Sequence, residues 1–333
     1  MKLFIITNNP DRASFRQRIG IYLDMLRAEG IKPQVTKLPK GLLARRKLFK
    51  QAASFDVVFL HKKKLNFLDA LLLRKYSKKI IYDFDDAIMY SDKNPQRFSR
   101  SHFVPFRRTV KIADLVIAGN AYLAEHALRF NPNVTILPTG LDTNAYRLPQ
   151  PPIDDGKIRL VWIGSNKTLK YLAEIKSALE EIGLRHNNVV LRIISDEFID
   201  LQNMVVEKCK WTKETEATDL AVCDIGLAPL PDDRFTRGKC GFKILQYWAA
   251  GLAVIASPVG VNAEYITDGV TGFHAKTNPQ WIDKIGELVE NAELRKRIGR
   301  EGNTKIQRFD LTVLAKRLVE LIKECLKNNE FCK

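Results

Sequence analysis

Three groups of residues have the types and spacing to act on an anion or a hydroxyl. The first is Arg237, Gly238, Lys239, Gly241 and Lys243, in RGKCGFK directly ahead of the apolar run ILQYWAAG. A glycine-rich helix start leaves backbone N–H groups unpaired and carries partial positive charge, which suits a phosphate or diphosphate. Arg237, Lys239 and Lys243 add full charges there, and the four-residue spacing of Lys239 and Lys243 predicts a shared face. The bland alternative is a basic loop before a buried helix. The second group is Gly164 and Ser165, followed by Asn166 and Lys167, at the end of IRLVWI. It would face the same anion from the other side, or be an ordinary strand-to-helix turn. The third is Asp83, Asp85 and Asp86 around the end of the run IIY. Carboxylates so close raise one another's pKa, so one could accept a hydroxyl proton or bind hydroxyls. Capping of the next segment by Asp85 or Asp86 is the structural alternative. A metal site is the weaker functional version, because no third-ligand pattern accompanies the cluster.

The elements that must position these residues follow an alternating pattern. In the first half, strand-like runs at 3–7, 57–61, 79–83, 115–118 and 134–137 alternate with helical stretches at 15–28, 42–53, 65–76, 106–112 and 121–129. Pro149, Pro151 and Pro152, followed by Asp154, Asp155 and Gly156, read as a linker. The pattern then restarts, with strands at 158–163, 189–194, 224–228 and 252–256 and helices at 168–182, 242–250, 279–292, 293–307 and 311–327. Such alternation gives an α/β fold of two Rossmann-like, doubly wound parallel-sheet domains, in which ligands sit at the carboxyl ends of the strands. No GxGxxG follows an early strand, since run 3–7 leads into Asn8, Asn9 and Pro10, which disfavours a nicotinamide-dependent oxidoreductase.

The length of 333 residues exceeds what one core usually supports. A hydrophobic share of 45% with 28% charged residues excludes a largely disordered chain. The net charge of +16 calls for a negative partner. Between Lys37 and Lys79 thirteen basic residues face only Asp56 and Asp69, so +11 of that charge lies there. Within it, GLLARRKLFKQAASF alternates apolar and cationic residues at helical spacing, as a helix on an anionic bilayer does; a helix packed on the sheet with a solvated basic face is the alternative. Nucleic acid is not expected, for want of a recognition motif or an aromatic-rich basic stripe. Five cysteines without a CxxC pair read as reduced thiols of an intracellular protein. No stretch reads as a signal peptide or a transmembrane helix.

The stretches LVWIGS, QYWAAGLAVIASPVG and EYITDGVTGF stand in the order found in glycosyltransferase family 4, the group 1 glycosyl transferases of GT-B architecture. IIYDFDDAI at 80–88, ADLVIAGNAYLAEHA at 113–127, ILPTGLDTNAY at 136–146 and RGKCGFKILQYWAAG at 237–251 are similar to the blocks of a narrower branch. The resemblance implies two domains facing across a cleft. Residues 1–150 would form the acceptor side and 155–308 the nucleotide-sugar side, with a last helix at 310–333 packing back on the first domain. Hinges near 147–156 and Phe309 would close the cleft against water.

It further implies retaining transfer of a sugar from a nucleotide diphosphate sugar to a glycan or lipid-linked acceptor, without bound metal or other cofactor. The enzyme would sit in the cytoplasm or peripherally on the inner face of the cell membrane. Lys239, Lys243, Asp85 and Asp86 would be catalytic. Gly164, Ser165, Lys167, Arg237, Gly238 and Gln246 would line the donor diphosphate site, and Trp211 would hold the base unless it is a core residue. Asp83, Arg16 and Arg18 would serve the acceptor, although the two arginines could simply begin a helix; His61 reads as structural. One departure stands out. The broader family carries two glutamates eight positions apart, and here Gly238 and Gln246 occupy those positions. Gln246 can still hydrogen-bond ribose hydroxyls, while Gly238 cannot hold the donor sugar. The absent carboxylate favours the alternative of a non-catalytic GT-B scaffold on membrane or nucleic acid.

Overall fold

The computed structural model describes residues 1–146 and 155–327. The linker prolines Pro149, Pro151 and Pro152 lie outside the described residues, as does most of the hinge expected at 147–156.

The first unit opens with β1 (Lys2–Thr7), α1 (Ala13–Arg18), α2 (Leu23–Ala28), β2 (Lys32–Lys37), α3 (Leu42–Gln51), β3 (Val57–His61) and α4 (Phe67–Tyr76). It continues through β4 (Ile80–Phe84), α5 (Arg100–Ile112), β5 (Leu115–Ala118), α6 (Ala121–Leu128) and β6 (Val134–Ile136). Its six strands pair in parallel in the order β2-β1-β3-β4-β5-β6. Every residue of β3 and β4 is buried, as expected where helices cover both faces of a parallel sheet. Asp83 therefore points from a buried strand and must be paired.

The second unit contains β7 (Ile158–Ile163), α7 (Asn166–Ala173), α8 (Lys176–Arg185), β8 (Val189–Ser195), β9 (Val205–Lys210), α9 (Glu216–Ala221) and β10 (Ile225–Ala228). Then come α10 (Phe242–Ala249), β11 (Ala253–Ala256), α11 (Val261–Tyr265), β12 (Phe273–His274), α12 (Asn278–Glu290) and α13 (Ala292–Ile306). The order β12-β11-β10-β7-β8-β9 is again all parallel. The C-terminal helix α14 (Leu311–Lys327) belongs to the first unit, where Leu314, Leu318 and Ile322 pack with Leu3, Ile5 and Tyr22.

Two boundaries differ from the sequence reading. The first unit ends at Gly140 rather than near 150, because Leu141 and Tyr146 enter the second core and Thr143 Oγ1 donates to Asp310 Oδ2 at 2.5 Å. More consequentially, Asp233–Cys240 belongs to the first unit. Asn120 Nδ2 donates to the Lys239 carbonyl at 3.2 Å, and the Tyr122 hydroxyl to the Arg234 carbonyl at 3.0 Å, tying this segment to α6.

Single elements differ too. The helix expected at 15–28 is broken into α1, a 3-10 turn at Gly20–Tyr22, and α2. The helix expected at 168–182 is split into α7 and α8 around Ile175, which turns into the core. Strand β2 was masked in the sequence by Pro33, which an edge strand tolerates, and β9 by the charges of VVEKCK. Among the described residues, no helix is long and apolar enough to cross a membrane, and no group of three or more His, Cys, Asp or Glu could hold a metal ion.

Candidate active site

In the second unit the chain turns at Gly241, whose φ of +65° is left-handed backbone that favours glycine, and α10 starts at Phe242. Lys243 thus lies in the first turn of an eight-residue helix, where N–H groups have no intrahelical acceptor. Its ammonium lies 4.9 Å from the centroid of the Trp162 ring, a cation–π contact that fixes a flexible side chain. Trp162 is fully buried in β7. A Cβ at Gly164 would stand 2.7 Å from Lys243 Nζ and 2.7 Å from the Trp162 ring. Only glycine lets the lysine reach the end of β7. Gly164 and Lys243, proposed separately from sequence, are therefore brought together, beside the exposed Ser165 and Lys167 at the start of α7.

Gln246, on the same helix, is 4% exposed and hydrogen-bonds the Tyr146 hydroxyl. That hydroxyl donates to Glu216 Oε1 at 2.5 Å, and Trp211 Nε1 donates to Glu216 Oε2 at 2.6 Å. Trp211 is half-buried and carboxylate-anchored rather than sealed in the core. Burial and the adjacent Glu216 push the Tyr146 phenol well up, so it stays a neutral donor. A cavity of about 400 Å³ opens elsewhere in this unit, lined by Glu174, Leu230, Ser257, Lys276 and Trp281 among others. None of the expected donor residues lines it.

The first unit holds two ionic clusters. In the inner one, Arg18 and Asp83, each with a side chain 1% exposed, pair at 2.7 Å. His61 Nδ1 lies 3.0 Å from Asp83 Oδ2, and Arg18 Nη1 donates to the Leu137 carbonyl at 2.7 Å. Burial opposes the charge on Asp83, but Arg18 and His61 outweigh it and hold the carboxyl below its usual range. Arg16 instead donates to the carbonyl of Asp11.

The outer cluster is built on Lys62, the one non-glycine residue with positive φ (51°) among the described residues. Such a backbone persists only where its surroundings over-determine it. Lys62 Nζ lies 2.8 Å from Asp85 Oδ1 and 2.5 Å from Asp86 Oδ2, and Lys239 Nζ is 3.2 Å from Asp86 Oδ1. Burial works against the charges on Asp86, Lys62 and Lys239. The Asp86 carboxyl is nevertheless driven far down by the two ammonium groups, and Lys62 and Lys239 are held up by the acids.

Three expectations change. Lys239 and Lys243 do not share a helix face: Lys239 is extended backbone ahead of Gly241, in a different unit from Lys243. Arg237 likewise belongs to the 3-10 turn Thr236–Gly238, so it is not at the α10 start. Asp83 and Asp86 are not raised as expected, because Arg18 and His61 hold the first down and Lys62 and Lys239 the second; both stay ionised and are poor proton acceptors at neutral pH. Asp83 and Arg18 have no exposed edge to offer a ligand and read as structural. Lys62, Trp162, Glu216 and Tyr146 were missed by the sequence reading. For Lys62 a signal existed, since it follows the strand end that adjoins the three acids.

The departure at Gly238 has a steric cause. A Cβ there would stand 2.6 Å from Ala87 Cβ, 2.8 Å from Ala87 N and 2.9 Å from Leu123 Cδ2. Gly238→Glu is therefore expected to destabilise the protein by at least the roughly 1–3 kcal/mol of an overpacked core, read as a fall in the urea midpoint; an unchanged midpoint would refute this packing.

Two parallel sheets, each covered by helices, define a protein of two Rossmann-like domains with the GT-B fold. Residues 155–291 match the family model of the glycosyl transferases group 1. The chain is similar in fold to HepE of Anabaena, solved in complex with UDP and glucose, at a TM-score of 0.73 and 15% identity over 97% of this chain and 100% of that one. A glycosyltransferase from Rickettsia africae gives a TM-score of 0.75 at 14% identity, over 98% and 99% of the two chains. WaaG, a glycosyltransferase involved in lipopolysaccharide biosynthesis, gives 0.68 at 15%, over 97% and 99%. No curated protein matches the sequence. The whole chain thus shares the GT-B fold of these structures, and its second unit carries the match to the group 1 glycosyl transferases.

Proposed function

We propose that the protein is a retaining, metal-independent glycosyltransferase that moves a sugar from a nucleotide diphosphate sugar to a glycan or lipid-linked acceptor of the cell envelope, at the cytoplasmic face of the membrane. The observation that carries this reading is the position of the Lys243 ammonium, fixed over Trp162 at the glycine turn after β7 and in the first turn of α10. When the glycosidic C–O bond breaks, the departing diphosphate gains negative charge. A preorganised ammonium and unpaired N–H groups stabilise that charge without having to reorganise. Ser165 and Lys167 extend the same anion site. Trp211, its indole held by Glu216, offers a ring on which a base stacks, and Gln246 and Tyr146 supply neutral hydrogen-bonding groups beside it.

Acceptor recognition is assigned to the first unit, where Asp85, paired with Lys62, and Asp86, kept ionised by Lys62 and Lys239, would accept hydrogen bonds from hydroxyls. The scaffold reading draws its support from the missing carboxylate at Gly238, for which the close approach of Ala87 and Leu123 gives a steric reason. The test is a panel of nucleotide sugars, with uridine diphosphate sugars first because HepE is solved with UDP. Nucleoside diphosphate should be released from one of them, faster with an envelope glycan or glycolipid present, and NMR of the product should show the donor's anomeric configuration. Turnover with none of them, or an inverted product, would overturn the proposal.

A further inference from the structure

Helices α3 and α4 pack side by side, joined by Arg45 Nη1 and Asp69 Oδ2 at 2.7 Å. Their inner sides are ordinary core, with Leu48, Phe49, Ala70 and Leu73 buried. Their outer sides are not ordinary surface. Leu42 is 53% exposed, Leu43 79%, Phe67 64%, Leu68 49% and Leu71 56%. Exposed apolar residues scattered singly need no explanation, but five on two neighbouring helices form a patch.

Charge around the patch has one sign. Arg46, Lys47, Lys50 and Lys75 are exposed on the same two helices, Lys40 precedes them, and Arg108 of α5 lies 5.9 Å from the Phe67 ring centroid. The single acid of the two helices, Asp69, is buried and bound by Arg45. Next to them, burial, with a smaller push from neighbouring cations, lowers the Lys63 ammonium, and Lys64 to about 8. Interleaved leucine and lysine or arginine fits one kind of partner. Apolar side chains enter the acyl boundary while cations meet anionic headgroups. An acidic protein surface would leave the leucines unmatched, and nucleic acid would need stacking rings where only Phe67 stands.

We propose that the outer face of α3 and α4 is a docking surface for an anionic phospholipid bilayer, with Leu42, Leu43, Phe67, Leu68 and Leu71 entering the interface and Arg46, Lys47 and Lys50 on the headgroups. This is independent of which sugar the protein transfers. The test is co-sedimentation of the full chain with vesicles of phosphatidylcholine alone or mixed with phosphatidylglycerol. Binding should require phosphatidylglycerol and weaken with salt. Both Leu43→Glu/Phe67→Glu and Arg46→Glu/Lys47→Glu should lose at least about tenfold in partitioning. All four residues are exposed or solvent-facing, so thermal stability and nucleotide binding should be retained, which separates this result from failure of the donor site. Equal binding to neutral vesicles, no vesicle binding, or retention by either variant would overturn the proposal. So would a concentration-dependent dimer abolished by Leu43→Glu, which would assign the patch to a second copy.

Discussion

Lys243→Ala is expected to lower the rate of sugar transfer by about 10²–10³-fold, the usual cost of removing one preorganised group from developing negative charge. The fold should survive, because the Trp162 ring remains packed in β7 and α10 keeps its buried residues Ile244, Leu245, Tyr247 and Trp248. Lys243→Arg should recover only part of the rate. The broad guanidinium cannot occupy the narrow space at Gly164, where even a methyl would meet the ammonium at 2.7 Å. Steady-state kinetics with the cognate donor, beside a melting curve, separate the two effects. A rate unchanged in Lys243→Ala would remove this residue from the chemistry.

The largest effect on stability is expected at Arg18. Arg18→Met leaves the Asp83 carboxylate buried without its main cation, and breaking such a pair costs about 3–5 kcal/mol. Urea unfolding should show it as a large fall in midpoint, and Arg18→Met/Asp83→Leu should recover much of it by removing the stranded charge. If Arg18→Met unfolds as the parent does, the buried pair is not as described. The pH dependence has a definite sign. Asp83 and Asp86 have folded pKa values below the unfolded value of about 3.9, so they contribute stability that is fully present above that value and lost as pH falls through the folded ones. Lys62 is raised, so its contribution is complete below its unfolded value of about 10.4 and lost as pH rises through the folded one. Asp83, Asp86 and Lys62 should therefore contribute no variation in the urea midpoint between about pH 6 and 9.

Much of the fold was legible because parallel strands buried on both faces are short apolar runs, as in VVFLH and IIYDF, and the helices between them are longer and amphipathic. What was not legible is instructive. β9 and β2 are edge strands whose polar residues hide the period. The assignment of Asp233–Cys240 to the first unit depends on contacts with Asn120, Tyr122 and Ala87, more than a hundred residues away, which no local pattern encodes. Of the candidate site, the Gly164 turn and Lys243 could be found because glycine at a strand end and lysine in a first helical turn are local signals. The pairing of Asp86 with Lys62 and Lys239 could not be read from charge alone. Counting acids near one another suggested mutual repulsion, whereas the cations that reverse its sign come from β3's end and from a segment 153 residues downstream.

The central claim is that the second unit binds a nucleoside diphosphate through Lys243 at the Gly164 turn. Calorimetric titration of uridine diphosphate and guanosine diphosphate into the parent protein and into Lys243→Ala tests it most directly. Saturable one-to-one binding of one nucleotide, weakened at least tenfold by the substitution, is the expected result. Equal affinity of parent and variant for that nucleotide, or no binding of either by the parent, would contradict it.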